Sequence, residues 1–365
     1  MALSAVDIST YAPRSEIIVN GAHLSADVSH VITSLEIEQE LNKMNSFKFQ
    51  VQDEYALAGG QGDQSARPFR WLGHPLFKFG NDVSLSLGYL TLKKMTQGKI
   101  QNISASFTRG LAPTFSVEGA DSAYVFLTTP SDVETYRDKT DSDIASQIAN
   151  QAQLTADVDA TTEVFPGKIK QGGKSCLQFI EELAKSNGYE YSLSGRTLSF
   201  IRPKTDRPAD MSLMWGRNLL SFSPRLETDA MYTEVIVRAW DRSGRKMIEA
   251  RASAGDEHRQ ESQKQFGSQV ARQIYGQAVR VITDRPVTSQ AEARKIALAE
   301  LQRSSDGLIE ASIEMVGRPE LRPGMRIQLD GVGEWFSGKY YVKKATHRIS
   351  NEGYRTRCDM RRNAV

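Results

Sequence analysis

The segment that comes nearest to a chemical motif is the glycine- and lysine-rich run Gly167–Ser175. A phosphate-binding loop has the pattern G-x-x-x-x-G-K-[ST], in which backbone amides converge on a phosphate. Gly173, Lys174 and Ser175 match its end, but the position that needs the first glycine holds Lys168. Because a slip of one residue displaces the amides, we interpret the run as a glycine loop before a helix.

The histidines and acidic residues show no metal-ligand spacing. None of the five histidines pairs with a second histidine, a cysteine or a carboxylate at ligand spacing on one helix. Asp157-Val158-Asp159 lacks the glycine and the terminal glutamate of a calcium loop. The sequence contains no G-x-S-x-G nucleophile elbow, and we interpret His347 as structural. We therefore predict no catalytic residue, no metal ligand and no cofactor, and a protein that is not an enzyme.

The composition indicates a folded protein of several modules. Its 365 residues exceed one ordinary domain. The net charge of +2 lacks the basic excess of a nucleic-acid binder, and we interpret the basic segment Arg355–Arg362 as a solvated strand face. Cys176 and Cys358 lie far apart, which favours a reducing compartment without a disulfide framework. We expect no signal peptide and no membrane insertion, because no suitable apolar run occurs.

Alternating apolar and polar residues predict strands in the first 129 residues. Phe47, Phe49 and Val51 share one face of such a strand. The glycine-rich stretch Gly59–Gln64 is predicted to be a long loop that crosses a barrel end or reaches a neighbour. Four further strands are predicted at Val31–Ile37, Val83–Tyr89, Gly98–Phe107 and Thr114–Glu118.

The spacing becomes helical after Pro130. Thr140 and Asp143 have the spacing of a capping box, as do Ser175 and Gln178. A hairpin is predicted after the second helix, with strands at Tyr189–Leu193 and Thr197–Ile201. These residues predict a small α+β domain.

Strands return near Met211, and a polar stretch interrupts them. One helix is predicted around Phe266–Ile274, and a stronger one is predicted to follow Ser289. The predicted strands are Met211–Phe222, Met231–Trp240, Met325–Leu329, Lys339–Ile349 and Tyr354–Arg361. The fold class is therefore mainly β with α+β insertions: two similar β-barrel domains (1–129; 206–241 with 307–365), a small α+β domain (130–205) and a polar, helical insertion (242–306).

The C-terminal strands carry the most specific pattern in the chain. It begins L-x-P-G-M-x-I-x-L at Leu321 and ends G-Y-x-T-x-C-x-M-R-R-N at Asn363. This pattern resembles the phage late control gene D family, whose members are tail baseplate hubs related to the head part of type VI secretion spike proteins. The resemblance extends to Thr140–Ala152 and to Gly172–Tyr191.

The resemblance implies a structural baseplate hub of a contractile tail from a phage or a phage-derived particle. It implies a homotrimer whose paired barrels form a ring of six, which joins the hexameric tail tube, or a tube-initiator protein, to a trimeric spike. Because spike-fused relatives continue beyond the hub and this sequence ends at Val365, a separately encoded spike is expected. Tape measure and baseplate wedge proteins are further expected partners, and DNA is expected only as transient cargo. The implied location is the virion tail baseplate, assembled in the host cytoplasm.

Contacts with partners are expected in loops rather than at a pocket. Two alternatives stay open: a cell-wall hydrolase carried on a tail, and a carbohydrate-binding β protein. The candidate interface residues are Gly59, Gly60, Gly62, Glu257, Lys264, Trp335 and Phe336.

Overall fold

The computed structural model describes residues 12–55, 69–229, 231–241, 244–258, 264–285 and 287–365. The fold is mainly β, as the sequence predicts, and 13 strands join one large sheet. The elements up to residue 129 are β1 (Arg14–Val19), β2 (Ala22–His23), α1 (Ala26–Val31), β3 (Ile32–Glu40), β4 (Ser46–Gln52), β5 (Asp82–Gly88), β6 (Leu92–Ser106), β7 (Thr114–Asp121) and α2 (Tyr124–Thr128).

The next part of the chain is a small α+β unit. Thr140 and Ser175 cap its two main helices through capping boxes, and both boxes were predicted from sequence. The helices share one apolar cluster with the three-stranded sheet β10-β14-β13. The elements are β8 (Glu134–Tyr136), β9 (Lys139–Thr140), α3 (Asp141–Gln151), β10 (Thr155–Val158), β11 (Val164–Phe165), β12 (Lys168–Lys170), α4 (Cys176–Asn187), β13 (Glu190–Ser194) and β14 (Thr197–Ile201).

The remaining elements return to the large sheet and add a second three-stranded sheet. The C-terminal strands and both helices lie where the sequence predicts them, within a few residues. The elements are β15 (Met211–Met214), β16 (Ser221–Leu226), β17 (Glu234–Asp241), β18 (Lys246–Ser253), α5 (Gly267–Tyr275), β19 (Val279–Ile282), α6 (Gln290–Ser305), β20 (Ile309–Val316), β21 (Arg326–Asp330), β22 (Gly338–Ser350) and β23 (Gly353–Arg362).

Two strand predictions differ from the structure. Met211–Phe222 is not one strand, because a turn around Gly216, whose φ is +79°, separates β15 from β16. Strand β17 does not join the large sheet. It is the central strand of the sheet β18-β17-β19, and Val235 and Val237 on it share an apolar cluster with Ile296 of α6. The inserted unit therefore begins near Glu234 rather than at residue 242.

The large sheet runs through both β-rich parts of the chain, because β3 pairs antiparallel with β22. Eight of its strands lie in the order β16-β20-β23-β22, followed directly by β3-β4-β7-β6, and β16 is at one end of the sheet. When the four strands of each set are numbered by their order in the chain, they lie side by side in the sheet as first, second, fourth and third. The two sets therefore have the same topology.

A glycine turn recurs in the two sets. The Gly80 N–H donates to the Ile100 carbonyl oxygen at 2.9 Å, and the Ile100 N–H donates back to the residue after Gly80 at 3.0 Å. Gly324 and Val342 make the same two bonds, both at 2.9 Å. Both glycines have φ near +84°, at +83° and +84°, a conformation that favours glycine.

A β-bulge also recurs. Strand β6 shifts register against β7 between Ile100 and Asn102. Strand β22 shifts register against β23 between Val342 and Lys344. In both strands the bulge begins at the residue that bonds the glycine turn, so the sets agree in register as well as in topology.

A buried carboxyl group joins the first β-rich part to the α+β unit. Asp121 accepts hydrogen bonds from the Asn45 N–H at 3.2 Å and from the Thr96 hydroxyl at 3.3 Å. The side-chain amide of Asn45 in turn donates to the Leu193 carbonyl oxygen of β13. Burial raises the pKa of Asp121 to about 7.

We expect the substitution Asp121→Asn to remove part of the pH dependence of stability. Between pH 4 and pH 7 the folded chain keeps a proton that the unfolded chain releases, so stability falls as pH rises through this window. The slope from this group is at most about 1.4 kcal/mol per pH unit. Urea unfolding at pH 5 and pH 8 measures it, with Asp206→Asn, at an exposed site, as the control. If stability changes with pH as steeply in Asp121→Asn as in the unaltered chain, the raised pKa of Asp121 is contradicted.

Candidate assembly site

The structure uses the groups of the glycine loop at Ser175 inside the chain. The Ser175 hydroxyl accepts from the Gln178 N–H at 3.2 Å, and the Gln178 side chain accepts from the Ser175 N–H at 2.9 Å. Lys174 forms an ion pair of 2.6 Å with Glu182. These contacts support the interpretation of the loop as a helix cap.

His347 lies in the interior, where it fastens a loop to the sheet. Its Nε2 is 3.0 Å from the Leu321 carbonyl oxygen, which only accepts, so Nε2 carries the proton. Its Nδ1 accepts from the Tyr354 hydroxyl at 2.9 Å. Burial lowers the pKa of His347 to about 4, so the ring is neutral near pH 7. A neutral, fully bonded ring has a structural role.

The described ranges contain no candidate metal site. Their His, Cys, Asp and Glu side chains form no group of three or more that could hold a metal ion. No helix in those ranges is long and apolar enough to cross a membrane.

The predicted contact residues have different environments. Gly59, Gly60 and Gly62 lie outside the described residues. The side chain of Glu257 is buried, and it accepts from the Ser305 hydroxyl at 2.5 Å at the end of α6. The carboxylate of Glu257 therefore holds the inserted unit together, and a partner contact there stays an untested prediction.

The structure brings the other predicted contacts together at one turn. The Lys264 ammonium group donates to the Ser337 carbonyl oxygen at 3.3 Å. Next to this serine, the ring of Phe336 packs edge-on against Phe222 of β16 at 6.3 Å. The neighbouring Trp335 is 67% exposed. Of this group, Trp335 is the side chain that is most available to a partner.

Further exposed apolar side chains flank the start of β16. The Trp215 N–H bonds the Asp330 carbonyl oxygen at the end of β21, the strand before the Trp335 turn. This surface, here called the tryptophan edge, consists of Met214, Trp215, Leu220 and Trp335, all roughly half or more exposed.

A second exposed apolar surface lies at the far end of β6. Ring centroids are 5.3 Å apart between Tyr55 and Phe69, and 5.4 Å apart between Phe69 and Phe107. Phe107 is 60% exposed and Leu111 is 70% exposed. We call these four residues the aromatic tip. Contiguous exposed apolar surface of this kind marks interaction sites.

One face of the large sheet is polar, and charges of opposite sign alternate across its strands. Glu36 on β3 lies opposite Lys48 on β4 and opposite Arg348 on β22. Lys48 also forms an ion pair of 2.8 Å with Glu118 on β7. Arg348 and Arg355 are an exception, since these two cations face each other. The face therefore has no continuous basic surface at its centre.

The basic segment at the end of the chain is not a solvated face throughout. Arg362 is fully buried and donates to the Ser337 carbonyl oxygen at 3.0 Å. The side chain of Arg361 is only 15% exposed. Residues of the α+β unit and of α6 cover Arg361, whereas the turn before β22 and the start of that strand cover Arg362. The prediction of a solvated face was therefore wrong for these two residues.

Arg361 joins three parts of the chain. Its guanidinium group is 2.5 Å from Glu190 on β13 and 3.1 Å from Asp306 at the end of α6. Glu190 also accepts from the Tyr341 hydroxyl at 2.7 Å. Burial raises the pKa of Glu190, and Arg361 opposes that rise. This cluster was not predicted from sequence, because its members are far apart along the chain.

Solved structures with the same fold include two tail proteins. One is the 43 kDa tail protein of prophage MuSo2 from Shewanella oneidensis, with a TM-score of 0.69 and 16% identity over 96% of this chain and 98% of that one. The other is a tail protein from Neisseria meningitidis MC58, with a TM-score of 0.69 and 15% identity over 96% and 97%. At such identities the likeness shows the fold alone.

A third similar structure is an E. coli component of the type VI secretion system, described as similar to the T4 bacteriophage tail proteins gp27 and gp5. Its TM-score is 0.56, with 12% identity over 94% of this chain and 76% of that one. A family model described as the Alg8 N-terminal domain matches residues 9–351. This is not the late control gene D family, so that resemblance stays a prediction. No curated protein matches the sequence.

We expect the substitution Arg361→Met to destabilise the chain by about 3–5 kcal/mol, because it leaves Glu190 and Asp306 buried without a cation. Adding Glu190→Gln to that variant should recover part of the loss. Urea unfolding measures both changes. The control is Arg357→Met on the same strand, where the side chain is 65% exposed and the loss should stay below about 1 kcal/mol. Equal losses at the two arginines contradict this role.

Proposed function

We propose that this chain, which belongs to the Alg8 N-terminal domain family, is the structural baseplate hub of a contractile tail in a phage or a phage-derived particle. The likeness to tail proteins over nearly the whole chain supports a role in a tail. The C-terminal sequence pattern supports the narrower role of a hub. In this role the chain works through surfaces, and it catalyses no reaction.

The repeated strand order is the observation that carries the proposal. Two sets of four strands with the same topology act as two similar barrel-wall domains in one chain. Within the described residues, β16 pairs only with β20, and the second half of β6 pairs only with β7. A sheet with open edges at β16 and at the second half of β6 is suited to closure by further copies.

A homotrimer closes the sheet into a ring of six wall domains. Six domains fit a hexameric tail tube or a tube-initiator protein on one side. Three chains fit a trimeric spike, encoded separately, on the other side. Tape measure and baseplate wedge proteins would contact the rest of the hub in the virion tail baseplate, after assembly in the host cytoplasm.

The polar face of the large sheet suits the wall of a channel for DNA. A continuous basic lining would bind phosphates electrostatically and hold the passing polymer. On this face the central cations Lys48 and Lys344 are paired with Glu118 and Glu38, at 2.8 Å and 2.7 Å. The DNA is therefore a transient cargo of the proposed ring and not a ligand.

We expect the purified chain to assemble into particles with three times the chain mass of 40.6 kDa. Light scattering coupled to size exclusion measures the mass, and electron microscopy should show a ring. The experiment is repeated with the spike and tube proteins of the same particle. A chain that remains monomeric with both partners present contradicts the hub.

Incubation with purified peptidoglycan separates the hub from a tail-associated hydrolase. We expect no release of soluble fragments, because the proposed hub works by assembly. Release that a single Asp or Glu substitution abolishes would overturn this expectation. A glycan array tests the carbohydrate-binding alternative in the same way, with glycan binding by the monomer as the contrary result.

A further inference from the structure

We propose that the free edge of β6 in one copy pairs antiparallel with the free edge of β16 in the next copy, in the register that β22 and β3 use inside the chain. This inference rests on the proposed ring, and it specifies the surface and the partner that close it. The internal pair is the template, because it already joins the two sets of strands.

The register of the first set follows from the bulge on β6. Asn102, the residue after the bulge, lies opposite Glu118 on β7. Glu118 lies opposite Lys48 on β4, and Lys48 lies opposite Glu36 on β3. Glu36 on β3 is thus level with Asn102 on β6, three strands away in the sheet.

In the second set, the corresponding series of opposed residues begins at the bulge on β22. Lys344 lies opposite Asp359 on β23, and Asp359 lies opposite Ser312 on β20. Ser312 lies opposite Ser223 on β16. Ser223 therefore has the place in the second set that Glu36 has in the first.

The internal junction now gives the register between copies. Glu36 lies opposite Arg348, which is the fourth residue after Lys344 on β22. The fourth residue after Asn102 on β6 is Ser106. The template therefore places Ser106 of one copy opposite Ser223 of the next.

The exposed apolar surfaces agree with this register. At the internal junction Ile349 lies opposite Leu35 and packs on the core of the first β-rich part. Phe107 takes the place of Ile349 in the pair between copies, and Phe222 takes the place of Leu35. Phe107 is 60% exposed in the single chain, whereas Ile349 is partly buried against the core of the first β-rich part.

Beyond this pair, the two apolar surfaces described above meet. The loop after Phe107 carries Leu111 of the aromatic tip. The residues before β16 include Trp215 and Leu220 of the tryptophan edge, which are 52% and 46% exposed. A seam between copies in this register removes apolar area of both surfaces from water, which favours association. Each copy thus carries both contact surfaces, the aromatic tip and the tryptophan edge.

Cysteine pairs test the register. Directly opposed residues of antiparallel strands have Cα atoms about 4.5–5.5 Å apart, within disulfide range. We expect Ser106→Cys with Ser223→Cys to link copies upon oxidation, up to closed trimers on a non-reducing gel. The shifted pair Ser104→Cys with Ser223→Cys should link poorly. Glu36→Cys with Arg348→Cys is the matched control, because the same geometry lies inside one chain and should give no link between copies.

The native cysteines do not complicate this readout, because Cys176 and Cys358 are both buried. Trimers that form while the shifted pair links best would overturn the register and leave the hub intact. Trimers without any link would overturn the strand pairing. A chain that stays monomeric would overturn the ring and the seam together.

The substitution Phe107→Ser tests the apolar contact separately. Since Phe107 is exposed, the fold should be retained, and the concentration at which the trimer dissociates should rise roughly tenfold or more. Met247→Ser is the control, because Met247 is 61% exposed in the inserted unit and outside the seam. Analytical ultracentrifugation measures both. Equal dissociation of the two variants would overturn the apolar contact.

Discussion

The buried contact between Arg361 and Glu190 is the interaction on which the relative placement of three parts of the chain depends. Arg361 ends the last strand of the large sheet, Glu190 begins the hairpin of the α+β unit, and Asp306 ends α6. Apolar residues of the same volume would pack there without loss of stability, but they would not require one partner at one angle. The charged cluster therefore fixes the orientation of the three parts, and the proposed ring requires a fixed orientation for its copies to meet in register.

The large sheet is built from two sets of strands that repeat the same features, and no single residue accounts for its architecture. Its two sets of strands share topology, a bulge and a glycine turn at Gly80 and Gly324. These features control twist and register, since a slip of one residue would exchange the apolar and polar faces. In the proposed ring, exposed side chains at the two open edges, such as Phe107 and Trp215, contact the next copy.

Local signals in the sequence predicted local structure well. The capping boxes at Thr140 and Ser175 and the C-terminal hairpin depend on neighbours in the chain, so residue types reveal them. Contacts between distant segments were not predicted. The placement of β17 depends on a helix some fifty residues later, and the burial of Glu257 depends on Ser305. Only three-dimensional proximity decides whether a charged residue such as Arg361 faces water or a carboxylate.

The pairing of β3 with β22 inside the chain has a consequence for assembly kinetics. In the proposed ring, every second junction between wall domains forms within one molecule, where the effective concentration of the two edges is fixed by the chain. Only the remaining junctions require collision. A ring of six domains then forms from three bodies rather than six, so its rate depends less steeply on protein concentration, and mixed or incomplete rings have fewer ways to arise.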